Sequence, residues 1–223
     1  MCIRDSRYCD AEGLAVHDGI AYVSFERQHR IEKYSFNSSG VPAEGKLIKR
    51  ISNDFEISGS KISKNGSLEA LNVDKNGTIF TSWENAIGSS AMDKYHPQIA
   101  IKDDNLVLKP KRIKSFGPEF GLVGSSKNFR LYRHHDKAKE IIIHAHRYDR
   151  TLRIEKVCNP DCNIDNFEGI AEYSAKDGNL YFYIISDDNP QNRHRPDYNQ
   201  RTLLYLFKFE IPETFRLGAS EIQ

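Results

Sequence analysis

The sequence lacks an excess charge of either sign: 32 lysines and arginines stand against 31 aspartates and glutamates, a net charge of +1. Without a basic field, nucleic acid or an anionic membrane surface is not expected as the main partner. Long apolar runs are also missing. The longest, such as Ile141–Ala145 and Leu180–Ile185, are strand-sized, so no membrane insertion is expected. Helical periodicity is almost absent. No Gly-x-Ser-x-Gly elbow, Walker loop or His-Glu-x-x-His run occurs, which leaves serine-hydrolase, nucleotide-binding and zinc-protease chemistry without support.

Cysteine is scarce. Cys158 and Cys162 flank a proline-containing turn, as two loop thiols or as a local disulfide, and the disulfide implies a periplasmic or extracellular setting. No second Cys or His pair follows at zinc-site spacing. The opening Met1–Ser6, "MCIRDS", lacks the charged, apolar, small-residue order of a secretion signal. It reads as a translated sequencing adapter. On that reading residues 1–6 and Cys2 carry no meaning, the domain runs over 7–212, and 213–223 is a tail.

What the chain has is aromatic residues, 11%, and frequent Asn, Asp and Gly punctuation, an all-β composition. Its 223 residues suffice for one sizeable domain or a repeat array. The stretch "DAEGLAVHDGIAYVSFE", Asp10 to Glu26, reads as a hairpin with a glutamate near each open end. It recurs as "SLEALNVDKNGTIFTSWE", with Glu69 and Glu84, and as "NFEGIAEYSAKDGNLYFYIISDD", with Glu168 and Asp187. A weaker copy opens at Glu119 and closes at His134 or His135. The opening glutamates recur about every fifty residues, a β-propeller blade length. Two further strand-like runs in each period complete a four-stranded meander. A β-sandwich explains no such period. The expectation is an all-β propeller of four-stranded antiparallel blades; four blades can close a ring, but the adapter-like start favours an N-terminally truncated fragment with about four blades present of six.

In a propeller the innermost strands line the channel, so Glu12, Glu69 and Glu168 are expected at one mouth, with Glu26, Glu84 and Asp187 beside them. Converging carboxylates need a cation, a basic partner or shared protons. Calcium takes six to eight oxygen ligands, and Glu12, Glu69, Glu168, Asp187 and Asp188, near Asn189, suit it. The competing reading has each glutamate bonding backbone amides of the neighbouring blade. Arg27, His29 and Arg30 follow Glu26, and Arg193, His194, Arg195 and Arg201 lie in or beside the insert after Asp188. These are the candidate anchors for a phosphorylated or otherwise anionic small substrate. The insert, Asp188 to Gln200, is expected to be a loop lidding the mouth. His144 and His146 share one strand face, and a third ligand is not visible beside them. Trp83 stands next to Glu84, to stack on a ligand or to pack between blades.

The repeated Glu-Gly-(Leu/Ile)-Ala motif, with Glu-Ala in the second copy, resembles the phytase-like domain family described as having esterase-like activity of phytase. The resemblance spans about Tyr8 to Glu210. It implies a propeller phosphoester hydrolase, Ca²⁺-assisted as propeller phytases are, in a bacterial periplasm or outside the cell. Beyond the acidic channel mouth the resemblance matches no catalytic motif; from their matched positions about the turns, Glu12, Glu69, Glu168 and Asp187 are the candidate catalytic carboxylates, and a monomer is the expected working form. The alternative is a non-catalytic propeller that binds a small ligand or a protein on the same face.

Overall fold

The computed structural model describes residues 11–66, 68–90, 92–103, 105–136, 140–155, 166–187 and 202–212. Met1–Ser6, all four cysteines, Asp188, Asn189, Arg193, His194, Arg195, Arg201 and the expected lid lie outside the described residues. No helix occurs among those described. The fold class is the β-propeller: consecutive antiparallel blades, each built as a meander.

The first blade runs β1 (Ala11–His17), β2 (Ile20–Phe25), β3 (Arg30–Ser35) and β4 (Lys46–Arg50), in that spatial order. Its first hairpin turns on Asp18 and Gly19, both at positive φ (48° and 71°), which matches the right-handed twist of the arms. A two-stranded ribbon, β5 (Glu56–Ile57) and β6 (Ser60–Lys61), intervenes before the second blade. That blade comprises β7 (Ala70–Val73), β8 (Ile79–Ser82), β9 (Tyr95–Lys102) and β10 (Asn105–Lys114). In its first turn Asp74 Oδ1 accepts the N–H groups of Asn76 and Thr78, each at 2.9 Å.

The third blade is β11 (Phe120–Ser125), β12 (Phe129–His134), β13 (Glu140–Ala145) and β14 (Arg150–Glu155). The fourth shows three strands among the described residues: β15 (Phe167–Ser174), β16 (Leu180–Ser186) and β17 (Leu204–Phe209). Every strand-like run read from the sequence falls in one of these elements. The ribbon between the first two blades is an addition that the fifty-residue period does not announce.

By packing, the chain divides into two units, residues 1–127 and 128–223. In the first, Ile31, Leu71, Ile79 and Ile101 form a buried cluster with Ala15, Tyr22, Ile48 and Val73 packed on it. This cluster seats the first blade against the second. A neighbouring cluster joins Ile51, Ile57, Ile62 and Leu68 to Trp83 and Ile99, so the ribbon is held by burying apolar side chains under the indole. Trp83 is 2% exposed, a packing residue and not a ligand platform.

In the second unit the core is aromatic. Phe129 is fully buried and meets Phe182 at 4.6 Å and Phe209 at 5.4 Å between ring centroids. His144 is buried on β13, with Nδ1 3.2 Å from Thr151 Oγ1, so it belongs to this packing.

Glycine in the Glu-Gly motif has a packing reason. A Cβ on Gly13 would lie 2.5 Å from Ser24 Oγ and 2.6 Å from both Glu69 O and Leu71 Cβ. The backbones of β1 and β7 therefore approach too closely for any side chain at that point. We expect Gly13→Ala to destabilise the protein by about 1–3 kcal/mol through overpacking. Chemical denaturation of the two proteins, compared at equal slope, measures it.

Candidate functional site: a three-carboxylate cluster

Glu12 sits where β1 departs from regular pairing. Ala11 opposes Phe25 and Leu14 opposes Val23, so one extra residue is accommodated between them as a bulge. Bulges re-aim side chains, and this one also leaves a ladder position to be satisfied. Gly13 N–H donates to Ser24 Oγ at 3.0 Å, and the Ser24 hydroxyl donates in turn to Leu68 O. Ser24 is fully buried. This buried pair of bonds ties the first blade to the chain entering the second, at a net worth of about 1 kcal/mol per bond.

Leu68, in the left-handed region at φ 59°, turns the chain immediately before Glu69. Glu26 follows the last residue of β2, and its Oε1 accepts the N–H of Gly66. The result is one cluster: Glu12, Glu26 and Glu69 each offer a carboxylate oxygen, all within 4.8 Å of one another. Glu26 and Glu69 are buried, at 3% and 7% exposure, while Glu12 is half-buried. Among the described residues this is the one group of three or more acid, His or Cys side chains with metal-holding geometry.

Oxygen ligands bound at 2.3–2.6 Å to one Ca²⁺ lie up to about 5 Å apart when opposed. The 4.8 Å limit fits a single hard cation among these three groups. An all-carboxylate donor set suits a hard cation such as calcium better than a soft transition metal.

The same motif position in the fourth blade is solved differently. Phe167 opposes Ser186 and Gly169 opposes Ile185, so Glu168 occupies a bulge as Glu12 does. Its Oε1, however, accepts from Arg133 Nη1 at 2.7 Å, and the same guanidinium nitrogen donates to Asn166 Oδ1. Here a guanidinium from β12 joins one blade to the next. Glu172, further along β15, does likewise, its two oxygens 2.8 Å from the amide N–H and side-chain Nδ2 of Asn128. Asp187 is half-buried and its N–H donates to Asn166 O at 2.8 Å. Removing the guanidinium with Arg133→Ala is expected to cost about 2 kcal/mol of stability, the worth of a charge-assisted bond. Ca²⁺ binding should be unaffected, which a melt with and without Ca²⁺ checks.

In the weaker third copy, Phe120 holds the motif position, buried at 2%, and Glu119 is exposed. Glu84 lies against Gly121, where a Cβ would come within 2.6 Å of Glu84 Cγ, and its backbone O accepts Leu122 N–H at 3.0 Å.

The cations after Glu26 take separate places. Arg27 is exposed, with φ 54° and its N–H donating to Lys64 O at 3.2 Å. His29 is buried, and burial holds its pKa below the usual histidine range against a bond to Ser63 backbone. Arg30 is buried over the Phe25 ring at 3.9 Å, and its Nε donates to Glu32 Oε1 at 2.6 Å.

His29 has a consequence for acid stability. A histidine whose folded-state pKa lies below its unfolded value of about 6.5 binds its proton more readily in the unfolded chain. Its contribution is whole above pH 6.5 and is lost as pH falls through the lower folded value. We expect His29→Gln to flatten the fall in melting temperature between pH 7 and pH 5, relative to the parent protein.

Sequence reasoning overlooked Ser24 as the bond that fixes the bulge. The signal is present: Ser24 and Ser82, both fully buried, each stand two residues before the closing glutamate.

Residues 3–102 match the phytase-like family, described as esterase-like activity of phytase. The phytase-like match covers the whole first blade and the second through β9, and so contains Glu12, Glu26 and Glu69. Glu168 lies beyond it. No curated protein matches the chain. Among solved structures, an α-L-arabinanase of Penicillium chrysogenum complexed with arabinobiose is similar at 12% identity and a TM-score of 0.42. The similarity covers 94% of this chain and 66% of that one, so the chain spans just under two thirds of the arabinanase.

Proposed function

We propose that the chain is a phytase-like hydrolase of small phosphoesters, assisted by Ca²⁺ at Glu12, Glu26 and Glu69. The observation that carries this is the convergence of those three carboxylates, two of them buried, inside the region that matches the phytase-like family. Bound there, Ca²⁺ supplies charge stabilisation at a phosphoryl oxygen and acidifies a water molecule. The residues do the rest. Gly66 N–H orients Glu26, the Ser24 bonds hold the bulge that aims Glu12, and the left-handed turn at Leu68 delivers Glu69. Burial of Glu26 and Glu69 keeps bulk water from one side of the site and raises the strength of its electrostatics.

Action outside the cytoplasm is part of the same proposal. Calcium outside the cytoplasm reaches the level at which extracellular modules with affinities of about 10⁻⁴–10⁻³ M are loaded, so even a weak site at these carboxylates would be filled there. The test is hydrolysis of p-nitrophenyl phosphate and of inositol phosphates, measured with Ca²⁺ and with chelator. Activity that appears only with Ca²⁺ supports the reading. A protein that binds no Ca²⁺ at millimolar concentration, or that is equally active in chelator, overturns it.

A further inference from the structure

The fourth blade is covered on one face only. Successive side chains of a strand point to opposite faces, and on the first face Phe182 and Phe209 meet Phe129 of the third blade. On the other face the register sets Gly169, Ile185 and Leu204 in one row and Ala171, Tyr183 and Leu206 in the next. A third row holds Tyr173, Tyr181 and Lys208. Tyr173, Tyr183, Ile185, Leu204 and Leu206 are each between 37% and 61% exposed. Tyr173 stacks on Tyr181 at 5.3 Å and on Tyr183 at 6.2 Å, which fixes the rings in place.

Five apolar side chains exposed to this degree present on the order of 500 Å², near the top of the range for the largest patch on a monomer. Covered by the same face of a second molecule, they bring the total to about 1,000 Å², where specific interfaces begin. The rows are also self-complementary. A second copy turned over about an axis parallel to the strands sets its β17 over β15 and its β15 over β17. Gly169 then faces Leu204 of the other copy, Ala171 faces Leu206, and the Tyr173 ring faces the Lys208 ammonium. Small residues meet large ones, and a cation meets an aromatic face. The space over Gly169 is bounded by Ile185 Cγ2, 2.6 Å from where a Cβ would stand. Lys208 also pairs with Glu210, 3.5 Å away at the strand end.

The first blade likewise exposes Leu14, Val16 and Leu47. There, however, Glu32 stands between Val23 and Leu47, bonded to Arg30 and Tyr34. An apolar cover over that face strips water from a charged network. The three rows of the fourth blade contain no carboxylate.

We propose that the outer face of β15, β16 and β17 is a two-fold interface with a second copy of this chain. It is an isologous contact, in which one patch serves both partners.

The test is sedimentation equilibrium of the full chain, followed from about 1 to 200 μM, the range that suits an interface at the small end of the specific class. A reversible monomer–dimer equilibrium is expected. Leu206→Lys should weaken it at least tenfold, because the ammonium is pressed against Ala171 of the partner copy. Ala171→Leu should weaken it too, by setting two branched side chains at one point. The double variant Ala171→Leu, Leu206→Ala exchanges small for large and should recover association. All four positions of change lie on the exposed face, so equal melting temperatures at concentrations below dimerisation show that the fold is intact. A monomer at every concentration, or a dimer indifferent to Leu206→Lys, overturns the proposal. So does a species that grows beyond the dimer, the mark of head-to-tail association. Failure of the exchanged pair to recover association overturns the two-fold register.

Discussion

Glu69→Gln is expected to lower Ca²⁺ affinity and Ca²⁺-dependent phosphoesterase activity by about 100-fold or more, since even outer-shell changes at metal sites cost 10–100-fold. The substitution keeps the size of the side chain and removes its charge. It leaves untouched the Gly13–Ser24–Leu68 bonds that hold the two blades together. Stability without calcium should stay level or rise, because one of three mutually repelling carboxylates has gone. Stabilisation by added calcium should shrink in the same variant. A Glu69→Gln protein that binds Ca²⁺ with parental affinity by calorimetry would show that the cluster is not the metal site.

Phe129→Ala is expected to cost about 3–5 kcal/mol of folding stability, because the truncation both removes apolar contact and leaves a void. Phe129 has no exposed surface and packs on two rings of the fourth blade, Phe182 and Phe209. Phe182 in turn stacks on Phe207 at 5.1 Å, so the cavity opens among rings that share contacts. Denaturant unfolding followed by fluorescence reads the loss. A change below about 1 kcal/mol would mean that the aromatic seam of the second unit does not hold it together. The Glu12–Glu26–Glu69 cluster is built in the other unit and should bind calcium unchanged in the folded fraction.

Much of the fold was legible because hairpins declare themselves locally. Asp18-Gly19, Asn76-Gly77 and Asp177-Gly178 mark turns by their backbone chemistry, and the alternation on either side sets the arms. Repetition of that unit every fifty residues points to blades without any knowledge of contacts. The candidate carboxylates were visible for the same reason, since they occupy matched positions about the turns. The β5–β6 ribbon was not, because its residues carry little periodic signal and its position depends on burial against Trp83.

By itself the sequence determined the all-β class, the blade period, the hairpin turns and the recurrence of acid at the open ends of hairpins. Those properties depend on neighbours in the chain. Tertiary structure decided what each acid does. Glu12 and Glu168 share a motif and a bulge, yet one converges with Glu26 and Glu69 while the other accepts an ion pair from Arg133. Glu12 meets Glu26 of its own blade and Glu69 at the start of the next, whereas Glu168 meets a guanidinium from the blade before it. Such a partner is distant in sequence, and only the packing of one sheet on the next brings it within reach.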